Sequence, residues 1–214
     1  MHCTVLIGDD HQVVLEGLRR ILDRPGFQIV GEVSDGRALV EAAARLRPDV
    51  VVADITMPLL NGVEAARQIR ARNRRVKIVF FTMHLEPMYA VEAISAAGSG
   101  SGYVLKDSAG KELIAAIQEA LRGHTYVTRS LAEPVMEALL SRRRRVGDES
   151  RRLTPRQREV LQLLAEGRSD KQLATVLRIS VRTVEFHKSS IKRKLGVQSI
   201  AELARYAAKV GIVA

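Results

Sequence analysis

The stretch Val50-Val51-Val52-Ala53-Asp54 decides the fold, because four apolar residues run directly into a carboxylate. An apolar run this short is typical of a strand that is buried on both faces. The carboxyl ends of neighbouring parallel strands share one sheet edge, and ligands bind there. Polar side chains end three more runs of the same kind: Asp9 and Asp10 after 5–8, Thr82 after 78–81, and Lys106 after 102–105. We therefore expect these polar residues to meet in a single pocket.

The three carboxylates of this group predict a Mg²⁺ site. Mg²⁺ takes oxygen ligands in octahedral geometry and keeps several waters. We expect Asp10 and Asp54 to supply carboxylate ligands and Asp9 to hold a bound water. The backbone carbonyl of Thr56 is expected to lie close to the same ion. Clustered carboxylates repel one another unless a cation is present, which favours a metal ion as the cofactor.

Lys106 and Thr82 extend the predicted site to a phosphoryl group. A phosphoryl group on Asp54 would be stabilised by the metal, by the Lys106 ammonium and by the Thr82 hydroxyl. Taken singly, these residues also have a structural explanation, because Asp9 and Asp10 can begin a helix and Lys106 can be a surface charge. Their joint position at the ends of four strands favours a functional site.

The composition limits the class of protein. The chain has 214 residues, 46% of them hydrophobic, and no apolar run near the roughly 18 residues that cross a bilayer. Its N-terminus lacks the layout of a signal peptide. Cys3 is the only cysteine, so no internal disulfide can form. These features predict a cytoplasmic protein without a membrane partner.

The net charge of +10 is concentrated near the C-terminus. Residues 151–214 carry 14 Lys and Arg against 5 Asp and Glu, whereas residues 1–150 carry 20 against 19. A nearly neutral first part and a basic second part predict that only the second binds a polyanion such as DNA.

Alternating strand and helix patterns indicate an α/β domain over residues 1–122. This order predicts a five-stranded, doubly wound parallel sheet with helices on both faces. Residues 123–150 are predicted to be a partly helical linker. Within it, the run Arg142–Arg145 is either a solvated tether or a contact with DNA phosphates. The five strands are predicted at 4–8, 28–33, 49–54, 77–82 and 102–106.

Residues 151–214 are predicted to form a second, all-α domain of four short helices. Thr154 and Ser169 each precede a glutamine at the third position of a helix, which is the pattern of a capping box. Ser180 and Ser199 can cap the two further helices. Only residues 178–180 separate the second helix from the third, which indicates a helix-turn-helix.

The third of these helices, over 181–195, has the pattern of a DNA-reading helix. Val184, Ile191 and Leu195 share one face, which is predicted to pack inward. The remaining surface is rich in basic and polar side chains, as the major groove of DNA accepts. The residues predicted to contact DNA are Arg182, Thr183, Glu185, Phe186, Lys188, Ser189 and Lys192.

These residues have different expected roles. Glu185 can accept a hydrogen bond from a cytosine amino group, and Phe186 can touch a thymine methyl group. The alternative for Phe186 is that it packs on a neighbouring helix. Lys188 and Lys192 are expected to grip phosphates, which positions the helix without specifying a sequence.

Residues 1–122 resemble the receiver domain of bacterial two-component response regulators, a flavodoxin-like fold. The resemblance implies that a sensor histidine kinase phosphorylates Asp54. It places Mg²⁺ at Asp9, Asp10 and Asp54, and it assigns phosphate contacts to Thr82 and Lys106 and a switch role to Tyr103. The matching stretches are 5–10, 51–58, 80–82 and 102–106.

One segment of the receiver-like part departs from the family pattern. Residues 94–102 form a longer run than usual and are rich in glycine. The departure leaves the predicted pocket intact and concerns how the preceding helix moves on activation.

Residues 153–208 resemble the LuxR-type helix-turn-helix, with matching runs at 153–161 and 182–187. Together the two resemblances indicate a response regulator of the NarL/FixJ class. The class implies binding to double-stranded DNA as a homodimer, with the helix over 199–210 supplying part of the contact between the two DNA-binding domains. RNA polymerase is a candidate partner.

The prediction is therefore a phosphorylation-switched transcription factor and not an enzyme. Phosphorylation of Asp54 is expected to draw in Thr82, turn Tyr103 and favour dimerisation on DNA. A phosphatase that works through an aspartyl-phosphate is the enzyme alternative, but it commonly carries an acid where Thr56 stands. A receiver that serves only for dimerisation, or an architectural DNA binder, would not need the pocket.

Overall fold

A computed structural model describes residues 2–108, 110–144 and 153–213, without the side chains of 142–144. The chain divides into two compact units, Met1–Ser141 and Arg142–Ala214. The side chains of the run Arg142–Arg145 lie outside the described residues. The two predicted roles of this run, a solvated tether or a contact with DNA phosphates, therefore stay predictions.

Within the described residues, the first unit is built on a parallel sheet of six strands in the order β2-β1-β3-β4-β5-β6. β3 lies between β1 and β4, where Val51 is beside Leu6 and Ile78. The five predicted strands are present, and the doubly wound parallel architecture is confirmed. The strands are β1 (Cys3–Gly8), β2 (Phe27–Val33), β3 (Val50–Ala53), β4 (Lys77–Thr82), β5 (Ser101–Leu105) and β6 (Tyr126–Val127).

Helices cover both faces of this sheet. Successive strand residues point to opposite faces, so each strand contributes to two cores. Val51 and Ala53 pack in the core that contains Leu39, whereas Val50 and Val52 pack in the core that contains Leu18. The helices between the strands are α1 (Gln12–Leu22), α2 (Gly36–Leu46), α3 (Gly62–Arg72), α4 (Pro87–Ala97) and α5 (Gly110–Leu121).

The end of the first unit corrects the predicted strand count. β6 adds a sixth, two-residue strand parallel to β5. α6 (Arg129–Arg144) is a 16-residue helix within the segment that was predicted to be a partly helical linker. Leu131 and Val135 of α6 are buried in the first unit's core. A two-residue strand shows no alternation in the sequence, so periodicity could not reveal it. The domain limits at 122 and 150 stay a prediction.

The glycine-rich segment 94–102 forms the end of α4, a short loop and the start of β5. Gly98 and Gly100 have φ angles of 75° and 68°. A Cβ on Gly98 would lie 2.9 Å from Arg70 Nη2, and one on Gly100 would lie 2.5 Å from Lys77 Nζ. The positive φ favours glycine at both positions, whereas the ends of the Arg70 and Lys77 side chains are flexible and could move. At Gly100 a Cβ would also lie 2.7 Å from the backbone carbonyl oxygen of Ala120, which cannot move in the same way.

The second unit has the four predicted helices: α7 (Pro155–Ala165), α8 (Asp170–Leu177), α9 (Val181–Leu195) and α10 (Ile200–Lys209). Both predicted capping boxes form, at Thr154 and at Ser169. Ser180 and Ser199 accept backbone hydrogen bonds at the starts of α9 and α10. In the described part of the chain, no helix has the length and apolar character that crossing a membrane requires.

Candidate functional site

The carboxyl ends of four strands bring the predicted pocket residues to one edge of the sheet. Lys106 Nζ lies 2.6 Å from Asp9 Oδ2 and 2.9 Å from Asp54 Oδ2. One ammonium group therefore bridges carboxylates that follow two adjacent strands. The pocket residues are Asp9 and Asp10 after β1, Asp54 after β3, Thr82 at the end of β4, and Lys106 after β5.

Burial makes the charges of this pocket strongly interdependent. The side chains of Asp9, Asp54 and Lys106 are 1%, 6% and 10% exposed. Burial raises the pKa of Asp9, although contact with Lys106 opposes the shift. Burial by itself lowers the pKa of Lys106, but Asp54 and Asp9 outweigh it and raise that pKa. Lys106 thus remains a cation, and its single charge cannot neutralise both carboxylates.

The acidic end of the pocket fits a divalent metal ion. One ligand atom from each of Asp9, Asp10, His11 and Asp54 lies within 4.8 Å of the others. Asp9 Oδ2 is buried, and the Lys106 ammonium lies 2.6 Å from it. Oxygen donors that carry uncompensated negative charge are the ligands that Mg²⁺ prefers. The pocket is therefore compatible with Mg²⁺.

Two histidines at the pocket were not predicted from the sequence. His11 Nδ1 lies 2.8 Å from Asp10 Oδ1, and its place directly after Asp10 was an available signal. His84 Nε2 is hydrogen-bonded to Thr56 Oγ1 at 2.6 Å, and burial lowers the pKa of His84. No pattern in the sequence marks this second contact. The role of the Thr56 carbonyl as a metal ligand stays a prediction.

The residues predicted to act as a switch, Thr82 and Tyr103, are fully buried. The Tyr103 hydroxyl donates a hydrogen bond to the His84 carbonyl at 2.9 Å. Burial, with a smaller effect of Asp54, raises the pKa of Tyr103, so the hydroxyl keeps its proton and remains a donor. The ring is therefore tied to the loop that directly follows Thr82.

In the second unit, α9 separates an inward face from an outward face as predicted. Val184 and Ile191 are fully buried, whereas Leu195, which was also predicted to pack inward, is half-buried. Phe186 is 66% exposed, so it does not pack on a neighbouring helix. Three more residues that were predicted to contact DNA are also exposed: Arg182, Glu185 and Ser189.

The three remaining residues predicted to contact DNA are engaged within the protein. The Thr183 hydroxyl is hydrogen-bonded to the Ser180 hydroxyl at 2.8 Å. Lys192 Nζ donates to the Gln198 carbonyl at 2.8 Å. Lys188 Nζ donates to both carboxylate oxygens of Asp170, each at 2.8 Å.

Two family models match the two units. The model of the response regulator receiver domain matches residues 5–118, and that of the bacterial regulatory proteins of the luxR family matches residues 151–207. The nitrate/nitrite response regulator NarL of Escherichia coli K12 is 30% identical over 94% of this chain and 93% of its own length. The chain belongs to the NarL/FixJ class of response regulators.

Other proteins similar to this response regulator agree with the assignment. The transcriptional regulatory protein MctR of Rhizobium johnstonii is 34% identical over 98% of this chain and 94% of its own length. RcsB of Salmonella enterica serovar Typhimurium was solved on a promoter with phosphomimetic BeF₃⁻. It aligns over 98% of this chain and 100% of its own, at 27% identity and a TM-score of 0.66. This response regulator therefore has a receiver part and a DNA-binding part and regulates transcription.

Proposed function

We propose that Asp54 accepts a phosphoryl group from a sensor histidine kinase and that this modification controls DNA binding. The observation that carries the proposal is the bridge from Lys106 to both Asp54 and Asp9 in a buried pocket. In the transfer, an Asp54 oxygen bonds to phosphorus while the bond from phosphorus to the kinase imidazole nitrogen breaks. A receiver domain supports a histidine kinase as the donor.

The pocket residues divide the work of stabilising this transfer. The Ile55 amide donates to Asp54 Oδ1 at 2.7 Å and orients the carboxylate. Lys106 Nζ, already 2.9 Å from Asp54 Oδ2, is placed to contact a phosphoryl oxygen on that side. Mg²⁺, held by Asp9, Asp10, Asp54 and the Thr56 carbonyl, would supply positive charge that offsets the carboxylates and the transferred group.

Phosphorylation would be signalled through Thr82 and Tyr103. The new phosphoryl oxygens are strong acceptors, and the buried Thr82 hydroxyl is the predicted donor beside them. A shift of Thr82 would move the His84 carbonyl, to which the Tyr103 hydroxyl is bonded. Tyr103 can then change position with the loop, which alters the surface near β5 and α4.

The DNA-binding part of the proposal rests on the outward face of α9. Glu185 and Phe186 are exposed and can reach a cytosine amino group and a thymine methyl group. Arg182, Thr183, Ser189 and Lys192 complete the proposed contact surface. We also propose that the chain binds DNA as a homodimer, with α10 supplying part of the contact between the two DNA-binding domains, and that it acts in the cytoplasm, with RNA polymerase as a candidate partner.

The test is phosphorylation of the full chain by acetyl phosphate with Mg²⁺, read by intact mass and DNA binding on the same samples. The DNA is a duplex selected from a random library by the treated protein. Wild type and the control Asp107→Ala, which removes an exposed carboxylate next to Lys106, should gain the phosphoryl mass and bind more tightly. Asp54→Ala should do neither. Absence of the added mass in the wild type would refute the proposal.

The enzyme alternative makes a different prediction from the same pocket. A hydrolase that works through an aspartyl-phosphate commonly carries a second acid two residues after the nucleophile, and the side chain at that position here is Thr56, bonded to His84. We propose that the chain does not turn over phosphoesters. Steady release of phosphate from a small phosphomonoester in the presence of Mg²⁺ would contradict this.

A further inference from the structure

Lys188 is held by a carboxylate of the neighbouring helix. Its Nζ donates to both oxygens of Asp170 at 2.8 Å, and the two side chains are only 19% and 31% exposed. Asp170 is the first residue of α8, after the capping residue Ser169. A carboxylate in this first turn is favoured by the helix dipole, so the acceptor is positioned by its own helix.

The other basic residues of α9 differ in how far their charge is matched. Arg182 and Arg193 are exposed. Lys192 donates to the Gln198 carbonyl and Lys194 to Gln157 Oε1, both of which are neutral acceptors. These cations keep their charge for an approaching polyanion. Lys188 is paired with a full negative charge through two charge-assisted hydrogen bonds, which are stronger than neutral ones.

We propose that Asp170 withholds Lys188 from the DNA backbone, so that the pair limits the sequence-independent affinity of α9. The inference rests on the proposed DNA-binding function and removes Lys188 from the residues that grip phosphates. To reach a phosphate, Lys188 would have to leave both hydrogen bonds and expose an unpaired Asp170 carboxylate to a polyanion. Both steps oppose the contact.

The pair would thereby favour selectivity over affinity. Each phosphate neutralised by a lysine strengthens binding to every duplex alike, because the contact carries no sequence information. Competing sites in a genome are far more numerous than operators, so a lower non-specific affinity frees more protein for its targets. Recognition would then depend on Arg182, Glu185 and Phe186.

The experiment is a salt titration of the full chain on a random-sequence DNA duplex. The variants are Asp170→Asn, Lys188→Met and the double variant, which keeps the net charge of the wild type. Lys188→Met should leave the dependence of log K on log [NaCl] unchanged. Asp170→Asn should steepen its slope by about 0.9, the release expected for one phosphate contact. The double variant should return to the wild-type slope.

The opposite results overturn the inference in recognisable ways. If Lys188 grips a phosphate in the wild type, Lys188→Met alone will make the slope shallower by about 0.9. If only net charge matters, Asp170→Asn and Lys188→Met will change the slope by equal and opposite amounts, whether or not the partner residue is present. Lys192→Met serves as the positive control and should make the slope shallower.

Two further measurements distinguish failure of this inference from failure of the proposed DNA-binding function. Far-UV circular dichroism and thermal unfolding show whether each variant is folded. If Asp170→Asn is not folded, the slope of Lys188→Met alone decides whether Lys188 contacts a phosphate. Failure of the wild type to bind any duplex, with or without acetyl phosphate, would refute the proposed DNA-binding function. Wild-type binding with a shallower slope for Lys188→Met would refute the inference alone.

Discussion

Replacing Lys106 with Met should destabilise the first unit at neutral pH. The ammonium lies 2.6 Å from Asp9 and 2.9 Å from Asp54, and its removal leaves two buried carboxylates without a cation. Removing one partner of a buried ion pair costs about 3–5 kcal/mol. We expect about 3 kcal/mol, at the lower end of that range, because Asp9 can take up a proton and relieve part of the repulsion.

The loss of stability should depend on pH with a defined sign. Burial already raises the folded-state pKa of Asp9 above its unfolded value, and removal of Lys106 should raise it further. Stability linked to such a group is fully present below the unfolded pKa and is lost as pH rises through the folded pKa. The deficit of Lys106→Met should therefore shrink as pH falls from neutrality. Mg²⁺ should also reduce it, because the pocket without Lys106 carries more negative charge and the ion therefore stabilises the folded variant more than the folded wild type.

The assay is urea unfolding followed by circular dichroism at several pH values, with and without Mg²⁺. Lys111→Met, which removes an exposed lysine of α5, is the matched control and should change stability by less than about 0.5 kcal/mol. A deficit of the same size at every pH, or one shared by the control, would refute the electrostatic reasoning.

Three other expected outcomes test separate features. Asp10→Asn should weaken Mg²⁺ binding by about one order of magnitude in calorimetry, because a charged oxygen ligand is lost; unchanged affinity would place the ion elsewhere. Leu131→Ala should lower the stability of the first unit by about 2–4 kcal/mol, since this side chain of α6 is buried, and a neutral effect would contradict that packing. Phe186→Ala should cost about 1–2 kcal/mol on a selected duplex and much less on a random one in fluorescence anisotropy. Equal losses on both duplexes would show that Phe186 does not read bases.

The strands that carry the pocket could be predicted because they are buried on both faces. Runs such as Val50–Ala53 must be continuously apolar when a core lies on each side, and a polar residue at the end is then conspicuous. β6 was not predicted, because a strand of two residues, Tyr126 and Val127, is too short to show an alternation of apolar and polar side chains. Only a partly helical linker was predicted here, because the arginine run was interpreted as a tether or a DNA contact. The described helix contains Pro134 and ends at Arg144.

The contacts between side chains were harder to predict than the pocket itself. Helical periodicity places Phe186 outward and Val184 inward, and the structure agrees. The same periodicity puts Lys188 on a flank but says nothing of Asp170, which is 18 residues away and on another helix. The bond between Thr56 and His84 joins loops after different strands. Such pairings depend on how elements pack, which a single sequence does not encode locally.

The alternation within β3 determines where this chain can gain or lose residues. Val51 and Ala53 serve one core while Val50 and Val52 serve the other. One residue inserted or deleted within the strand would exchange the two sets and turn every side chain that follows to the opposite face. Insertions and deletions should therefore be tolerated in loops such as 98–100 and not within the strand. Asp54 directly follows β3, so the alternation of side chains along that strand also sets the direction in which its carboxylate points.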